Sequence, residues 1–115
     1  MTTQGFAHVY LETRNWGRSV AFWRSLGFEA EFETDHGSGA LRPQAGGPYV
    51  FVAEQAPEDP LATALYLSVE QAGPLPAGVD VVVDWTATHW GTQVAVIRDP
   101  DGRELRLEAP AAAGG

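Results

Sequence analysis

The strongest constraint on the fold lies between Thr88 and Pro110. Two strand-like runs there, Val94–Ile97 and Glu104–Glu108, flank Asp99-Pro100-Asp101-Gly102. Pro100 fits the second position of a β-turn. Asp101 and Gly102 tolerate the left-handed backbone that a tight hairpin needs. The last run alternates, with Leu105 and Leu107 on one face and Glu104, Arg106 and Glu108 on the other. A strand of this pattern buries one face and presents polar groups on the other. The side chain at Arg106 therefore bears directly on what the chain can do.

The same logic runs along the rest of the chain. Residues 6–12 alternate, with Ala7, Val9 and Leu11 facing one way and Phe6, His8, Tyr10 and Glu12 the other. Asn15 is placed to cap a helix over about 16–26 that Gly27 ends. Trp16, Val20 and Trp23 form its apolar stripe, which Phe22 and Leu26 widen. Residues 28–33 read as a strand with Phe28 and Phe32 on one face. His36-Gly37-Ser38-Gly39 reads as a turn or mobile loop before short strands near 40–42 and 49–53. Residues 54–61, EQAPEDPL, form a polar connector. Strands are then expected at 63–70, 79–84, 92–98 and 103–108. Residues 71–78, QAGPLPAG, stand where a second helix would fall. A proline inside a helix is about 3 kcal/mol worse than alanine, so a loop or a single turn is expected there. Residues 109–115 are expected to fray.

The chain thus reads as one α+β domain over 1–115. It is built from two β-α-β-β-β modules, about 5–54 and 62–109, the second with its helix reduced. Local sequence supports the repeat. His8-Val9-Tyr10-Leu11 lies over Ala64-Leu65-Tyr66-Leu67, and Gly47–Val52 lies over Gly102–Leu107.

Composition removes several function classes. The formal charge of −8 argues against nucleic acid, which is held by Lys and Arg on phosphates. It fits either plain solubility or attraction of cationic ligands. With no cysteine there is no disulfide framework, thiolate nucleophile or Cys-based zinc site. No run of about 18 apolar residues suggests a membrane span. Residues 1–12 lack the basic and apolar regions of a secretory signal. A cytoplasmic protein is the resulting expectation.

His8-Val9-Tyr10-Leu11, the run Arg18-Ser19-Val20-Ala21-Phe22-Trp23 leading to Leu26-Gly27-Phe28, and Trp90-Gly91 before Asp99-Pro100-Asp101-Gly102 together resemble the vicinal oxygen chelate superfamily. That superfamily includes glyoxalase I, extradiol dioxygenases, and fosfomycin- and bleomycin-resistance proteins. The resemblance covers nearly the whole chain. It implies that the two modules form a curved open mixed sheet around a ligand groove, in many members within a homodimer. It also implies four metal-ligand positions, which fall on His8, Phe51, Ala64 and Arg106. Only His8 is a donor. Phe51 and Ala64 offer no ligating atom, and Arg106 brings a fixed positive charge. Metal selection normally takes three or more His or carboxylate side chains. No metal or other cofactor is therefore expected.

What remains on the expected groove face is a small-molecule pocket of aromatic side chains with a few polar anchors: His8, Tyr10, Tyr49, Phe51, Tyr66, Ser68, Glu104 and Arg106. Trp85 and Trp90 are expected at its mouth or rim. Trp16 and Trp23 belong to the helix side. His36 is expected in solvent, and His89 at the rim. The alternative account of these aromatics is ordinary packing between sheet faces or a dimer seam. Arg106 beside Glu104 is either an ion pair or an anchor for a ligand carboxylate or phenolate. The leading expectation is a metal-independent binding protein of the bleomycin-resistance kind, sequestering an aromatic or cationic, antibiotic-like compound. The rivals are a metal-dependent lyase, dioxygenase or thiol transferase; a metal-free isomerase or cyclase using His8 or Glu104 as base; and a dimeric regulatory subunit without a ligand.

Overall fold

A computed structural model of the chain describes residues 1–111. Among them are one helix and eight strands, in the order β1 (Thr3–Thr13), α1 (Trp16–Ser25), β2 (Phe28–Glu33), β3 (Ser38–Pro43), β4 (Tyr49–Glu54), β5 (Thr63–Val69), β6 (Asp80–Ala87), β7 (Thr92–Arg98) and β8 (Glu104–Pro110). The fold is α+β with mixed strand directions, and the second helix is absent. The chain groups into two compact units, residues 8–64 and residues 1–7 with 65 onward. Residues 5–7, read from the sequence as the start of the first module, group with the second unit.

In the first unit the strand order is β2-β3-β4-β1. β1 runs parallel to β4, with His8 opposite Tyr49 and Tyr10 opposite Phe51. β3 is antiparallel to both β2 and β4. One face packs against α1. Val20, Leu41, Val50 and Val52 form the buried cluster, with Val9, Leu11, Trp16, Trp23, Phe28 and Ala30 around it. Burying a Leu or Val side chain contributes about 1.5–3 kcal/mol, so this face holds the helix in place. Asn15 caps α1 by accepting the Arg18 N–H at 3.0 Å. The Glu54 carboxylate accepts the Trp16 N–H at 2.7 Å, where the helix dipole favours negative charge. Gly27, at φ +91°, ends the helix.

Three expectations change here. Phe22 and Leu26 do not widen the buried stripe; they are 56% and 58% exposed. The stripe is narrow because α1 covers a single sheet face. Phe28 and Phe32 do not share a face. The β2–β3 register slips between Ala30 and Phe32, and this bulge turns Phe32 away from the helix side. Ser38 and Gly39 are strand, not loop, and both are buried. A Cβ on Gly39 would lie 2.5 Å from the Phe32 carbonyl oxygen and 2.9 Å from the Trp16 ring, so glycine there admits the indole.

In the second unit the order is β5-β8-β7-β6, with β5 parallel to β8 and the other pairs antiparallel. Tyr66 lies opposite Arg106 and Ser68 opposite Glu108. These rungs reproduce the Tyr10–Phe51 and Glu12–Ala53 rungs of the first unit. The repeat alignment read from the sequence is therefore the spatial one. The core is Val69, Ala95, Leu107 and Ala109. Its cover is the loop 71–78 in place of a helix. Ala72 and Leu75 pack against the cluster, and so does Trp85. The Trp85 indole N–H donates to the Gly73 carbonyl at 2.8 Å and ties the loop down. Ala109 and Pro110 continue β8 rather than fray, and Ala109 is 2% exposed. The rest of the expected frayed tail, beyond Ala111, lies outside the described residues.

The Asp99–Gly102 turn forms as the sequence implies. Gly102 has φ +87° and donates its N–H to the Asp99 carbonyl at 3.0 Å. Asp99 Oδ1 accepts the backbone N–H groups of Asp101 and Arg103, at 2.9 and 2.8 Å.

Candidate functional site

Two sets of residues stand out, one in each unit, both on the sheet face away from the covering helix or loop.

In the first unit, strand alternation puts His8 and Tyr10 of β1 on the same face as Tyr49 and Phe51 of β4. The parallel register then stacks them in rungs. The His8 and Tyr49 rings are 4.6 Å apart and 11° from parallel. Tyr10 and Phe51 are 6.2 Å apart at 14°. Phe32, brought round by the bulge, lies 6.1 Å from Phe51. Arg42 caps the layer with its guanidinium carbon 5.0 Å from the Tyr49 ring centre. That charge is held by Glu31 and by the Gly47 carbonyl. The Tyr10 hydroxyl donates to Glu12 Oε2 at 2.8 Å, and Glu12 Oε1 accepts the Ala62 N–H at 2.8 Å. His8 is buried, 7% exposed. The result is a layer of stacked aromatic rings with Arg42 over one end.

In the second unit the corresponding face is ionic. Tyr66 lies under Arg106, whose guanidinium carbon is 6.0 Å from the ring centre. Burial pushes the Tyr66 hydroxyl above its ordinary value of 10.0; the Arg106 charge opposes that rise and the Glu108 charge adds to it. The phenol stays protonated at neutral pH. Arg106 reaches Glu104 only at 3.9 Å, and Glu104 also faces Arg98 at 3.6 Å. Such exposed pairs contribute about 0–1 kcal/mol, so Arg106 is loosely held. Two residues along β8, Glu108 Oε2 accepts the Trp90 indole N–H at 2.8 Å and the Thr92 hydroxyl at 3.0 Å. Ser68 donates to the Gln4 side chain at 3.2 Å. These groups border an open, shallow depression of about 560 Å³ lined by Gln4, Ser68, Glu70, Thr92, Glu108 and Pro110 among others.

Eight of the ten residues expected at the site thus fall into two local groups: His8, Tyr10, Tyr49 and Phe51 in one unit, and Tyr66, Ser68, Glu104 and Arg106 in the other. Trp90 joins the second group through Glu108. Trp85 does not join. Its ring packs with Ala72 and Leu75 on the covered side, because the loop 71–78 needs an anchor where a helix would have brought its own apolar stripe. His89 is exposed and edge-on to Trp90 at 4.9 Å. His36 is solvated, its side chain 75% exposed. The sequence reading missed Phe32, which the bulge conceals, and Arg42. It also missed Glu108 as a site residue, although Glu108 shares a face with Arg106 at the simple spacing of two.

The donor set does not fit a metal. Of the four positions implied by the family resemblance, His8 alone carries a ligating atom suited to a cation. Its rung partner is Tyr49, and the Tyr10 rung ends on Phe51. Among the described residues no group of three or more His, Asp or Glu side chains is placed to hold a metal ion.

No protein-family model matches the chain, and no curated protein matches it. Solved structures do. A glyoxalase/bleomycin resistance protein/dioxygenase superfamily member from Vibrio splendidus 12B01 is 20% identical, with a TM-score of 0.68 over 94% of this chain and 99% of that one. Methylmalonyl-CoA epimerase from Mycobacterium tuberculosis is 16% identical, with a TM-score of 0.67 over 96% and 90%. A structure described as NAD-dependent benzaldehyde dehydrogenase from Legionella pneumophila is 16% identical, with a TM-score of 0.61 over 90% and 97%. At such identities the likeness establishes the fold. The three descriptions name different chemistries, which is what a fold shared among unrelated activities looks like.

Proposed function

We propose that this chain, which has the fold of the glyoxalase/bleomycin resistance/dioxygenase superfamily, is a metal-independent protein that binds a small aromatic molecule. One observation carries the reading. Where metal-using relatives are expected to place ligands on the face away from the helix, the first unit has the stacked layer of His8, Tyr49, Tyr10 and Phe51. Aromatic faces hold planar ligands by offset stacking, at about 0.5–1.5 kcal/mol per ring pair beyond the area they bury. They also attract organic cations by about 0.5–2 kcal/mol per ring. The charge of −8 raises the local concentration of cationic ligands, which suits sequestration of an antibiotic-like compound. We place the protein in the cytoplasm and propose that it acts as a homodimer. No helix among the described residues is long and apolar enough to cross a membrane.

The test is a binding screen with planar aromatic metabolites and cationic aromatic antibiotics, read by thermal shift and by tryptophan quenching. The expected result is saturable binding of at least one class, weakened about tenfold or more by Phe51→Ala. Two results would overturn the proposal. One is the absence of any binding across the panel. The other is a stoichiometric divalent metal in the purified protein that is lost in His8→Ala, which would restore a metal-dependent lyase, dioxygenase or transferase.

A further inference from the structure

We propose that Arg98 and Arg106 of the second unit form a binding site for a small monocarboxylate with an apolar body, and that Glu104 occupies this site as a built-in competitor. The site concerns the second unit alone and does not rest on the aromatic layer of the first.

Strand pairing places the groups. Leu107, Ala95 and Ile97 pack into the covered core, so Arg106, Val96 and Arg98 project from the opposite face. Glu104 shares that face with Arg106 at a spacing of two. The antiparallel β7–β8 register sets Arg98 opposite Glu104 and Val96 opposite Arg106. The four residues therefore stand at the corners of one cell of the sheet, roughly 5 Å across the strands and 7 Å along them. The two arginines occupy one diagonal, Glu104 and Val96 the other.

Glu104 lies between the two guanidiniums. Its Oε2 is 3.6 Å from Arg98 Nη2 and its Oε1 is 3.9 Å from Arg106 Nη2. At those distances neither contact is a hydrogen bond. One tethered carboxylate thus draws on two cations and satisfies neither, because its backbone is fixed at a corner of the cell. An untethered carboxylate can sit over the centre and accept from both forks, in the planar geometry that guanidinium donors favour. Solvent reaches the three groups: the Arg98 and Glu104 side chains are each 41% exposed and that of Arg106 29%. Arg98 also meets Asp80 at 3.5 Å, on the β6 side, away from the cell.

Apolar surface adjoins the charges. Val96 completes the cell, and its β6 rung partner Val83 is 45% exposed. A carboxylate held over the cell lays its apolar body across these two valines. The chain's charge of −8 disfavours a multiply charged anion, which selects one carboxylate over a phosphate.

The probes are 3-phenylpropionate, its neutral amide 3-phenylpropanamide, and acetate, titrated into the full chain at low salt and followed by backbone-amide and arginine side-chain NMR shifts. 3-Phenylpropionate is expected to bind saturably, with shifts centred on β7 and β8. The amide and acetate should bind at least tenfold more weakly. Arg106→Gln and Arg98→Gln should each weaken the acid about tenfold, through loss of one charged fork. Glu104→Gln should strengthen it about tenfold, because a tethered competitor acts at an effective concentration on the order of millimolar. Asp101→Asn makes the same change of net charge in the exposed turn and should leave the affinity nearly unchanged. If Arg98→Gln loosens β6 through the lost Asp80 contact, Arg106→Gln and Glu104→Gln carry the test. Equal affinity for the acid and the amide overturns the proposal. So does a Glu104→Gln variant that binds no more tightly than wild type, or no more tightly than Asp101→Asn. Absence of binding to Glu104→Gln at millimolar acid also overturns it. Failure of the aromatic panel against the first unit leaves this site standing.

Discussion

The two modules share a backbone plan and diverge in what they place upon it. Each opens with a strand parallel to its last, and each carries the same hairpin loop. Thr34 and Ser38 close one such loop, with the Thr34 N–H on the Ser38 carbonyl at 2.8 Å; Thr88 and Thr92 close the other in the same way at 2.8 Å. Gly37 and Gly91 both take positive φ there. On the covered side, the first module uses a helix with two tryptophans and the second a proline-containing loop pinned by Trp85. On the opposite side, the Tyr10–Phe51 rung becomes Tyr66–Arg106, and Glu12–Ala53 becomes Ser68–Glu108. Duplicated frames tolerate such divergence because backbone pairing fixes the rungs whatever side chains they carry.

If the helix makes the first core the more rigid, equal truncations should cost unequally. Leu41 is fully buried beneath α1, Trp16 and Trp23; Leu107 lies in an alanine-rich cluster beneath a loop. Leu-to-Ala changes cost about 2–5 kcal/mol, depending on how far the surroundings collapse. Leu41→Ala is expected near the upper end and Leu107→Ala near the lower, because the loop can settle into the space. Urea unfolding of the two variants decides it, and the reverse order would break the contrast.

Glycines offer a second comparison. Gly39→Val must push its Cβ against the Phe32 carbonyl and the Trp16 ring, with the Glu33 Cα at 3.0 Å. Overpacking of this kind costs about 1–3 kcal/mol, occasionally more. Gly73, in the loop of the second module, has nothing within 4 Å of where a Cβ would lie. Gly73→Ala should stay within about 0.5 kcal/mol of wild type, as for other substitutions away from packed features. Thermal melts of both variants test the pair.

These contrasts also mark what the sequence made legible. The repeat, the helix limits, the loop at 71–78 and the Asp99–Gly102 hairpin follow from periodicity, proline placement and turn chemistry, which are local. Most of the uncovered-face residues followed from strand alternation. Phe32 escaped because a single-residue bulge inverts the alternation beyond it, and nothing in FEAEFE signals that slip. Ser38 and Gly39 were read as loop because glycine usually punctuates; here it serves close approach by Trp16, a non-local cause. Trp85 was read as a rim residue because its packing partners, Ala72 and Leu75, lie in a loop whose path the sequence does not set.

The loop that replaces the second helix supplies the next test. Trp85→Phe keeps the ring in the cluster and removes the bond to the Gly73 carbonyl. A net hydrogen bond contributes about 0.5–1.5 kcal/mol, so the loss of stability should be of that size. Hydrogen exchange should quicken over 71–78 while β2–β4 stay protected. Unchanged exchange in the loop would mean that apolar packing alone holds it.

The smallest expected effect concerns the hairpins that precede β4 and β8. The first runs through Gly46 and Gly47, both at positive φ, and carries no carboxylate. The second is organised by Asp99. The backbone N–H of Arg103 is the main cause that holds the Asp99 carboxyl below its ordinary value of 3.8, and the N–H of Asp101 and the Arg103 guanidinium add to it. A carboxylate whose folded value is depressed contributes stability that is fully present above its unfolded value. That contribution is lost as pH falls through the lower, folded value. The difference in melting temperature between wild type and Asp99→Ala should therefore be constant from neutral pH down to about pH 5 and shrink as pH drops below the aspartate range. A matching change in the first hairpin, Ala45→Gly, should leave a gap that does not vary with pH, since that turn has no titrating side chain. A gap for Asp99→Ala that stays flat through pH 2 would show that the turn is held by Pro100 and Gly102 alone. The two hairpins would then be equivalent after all.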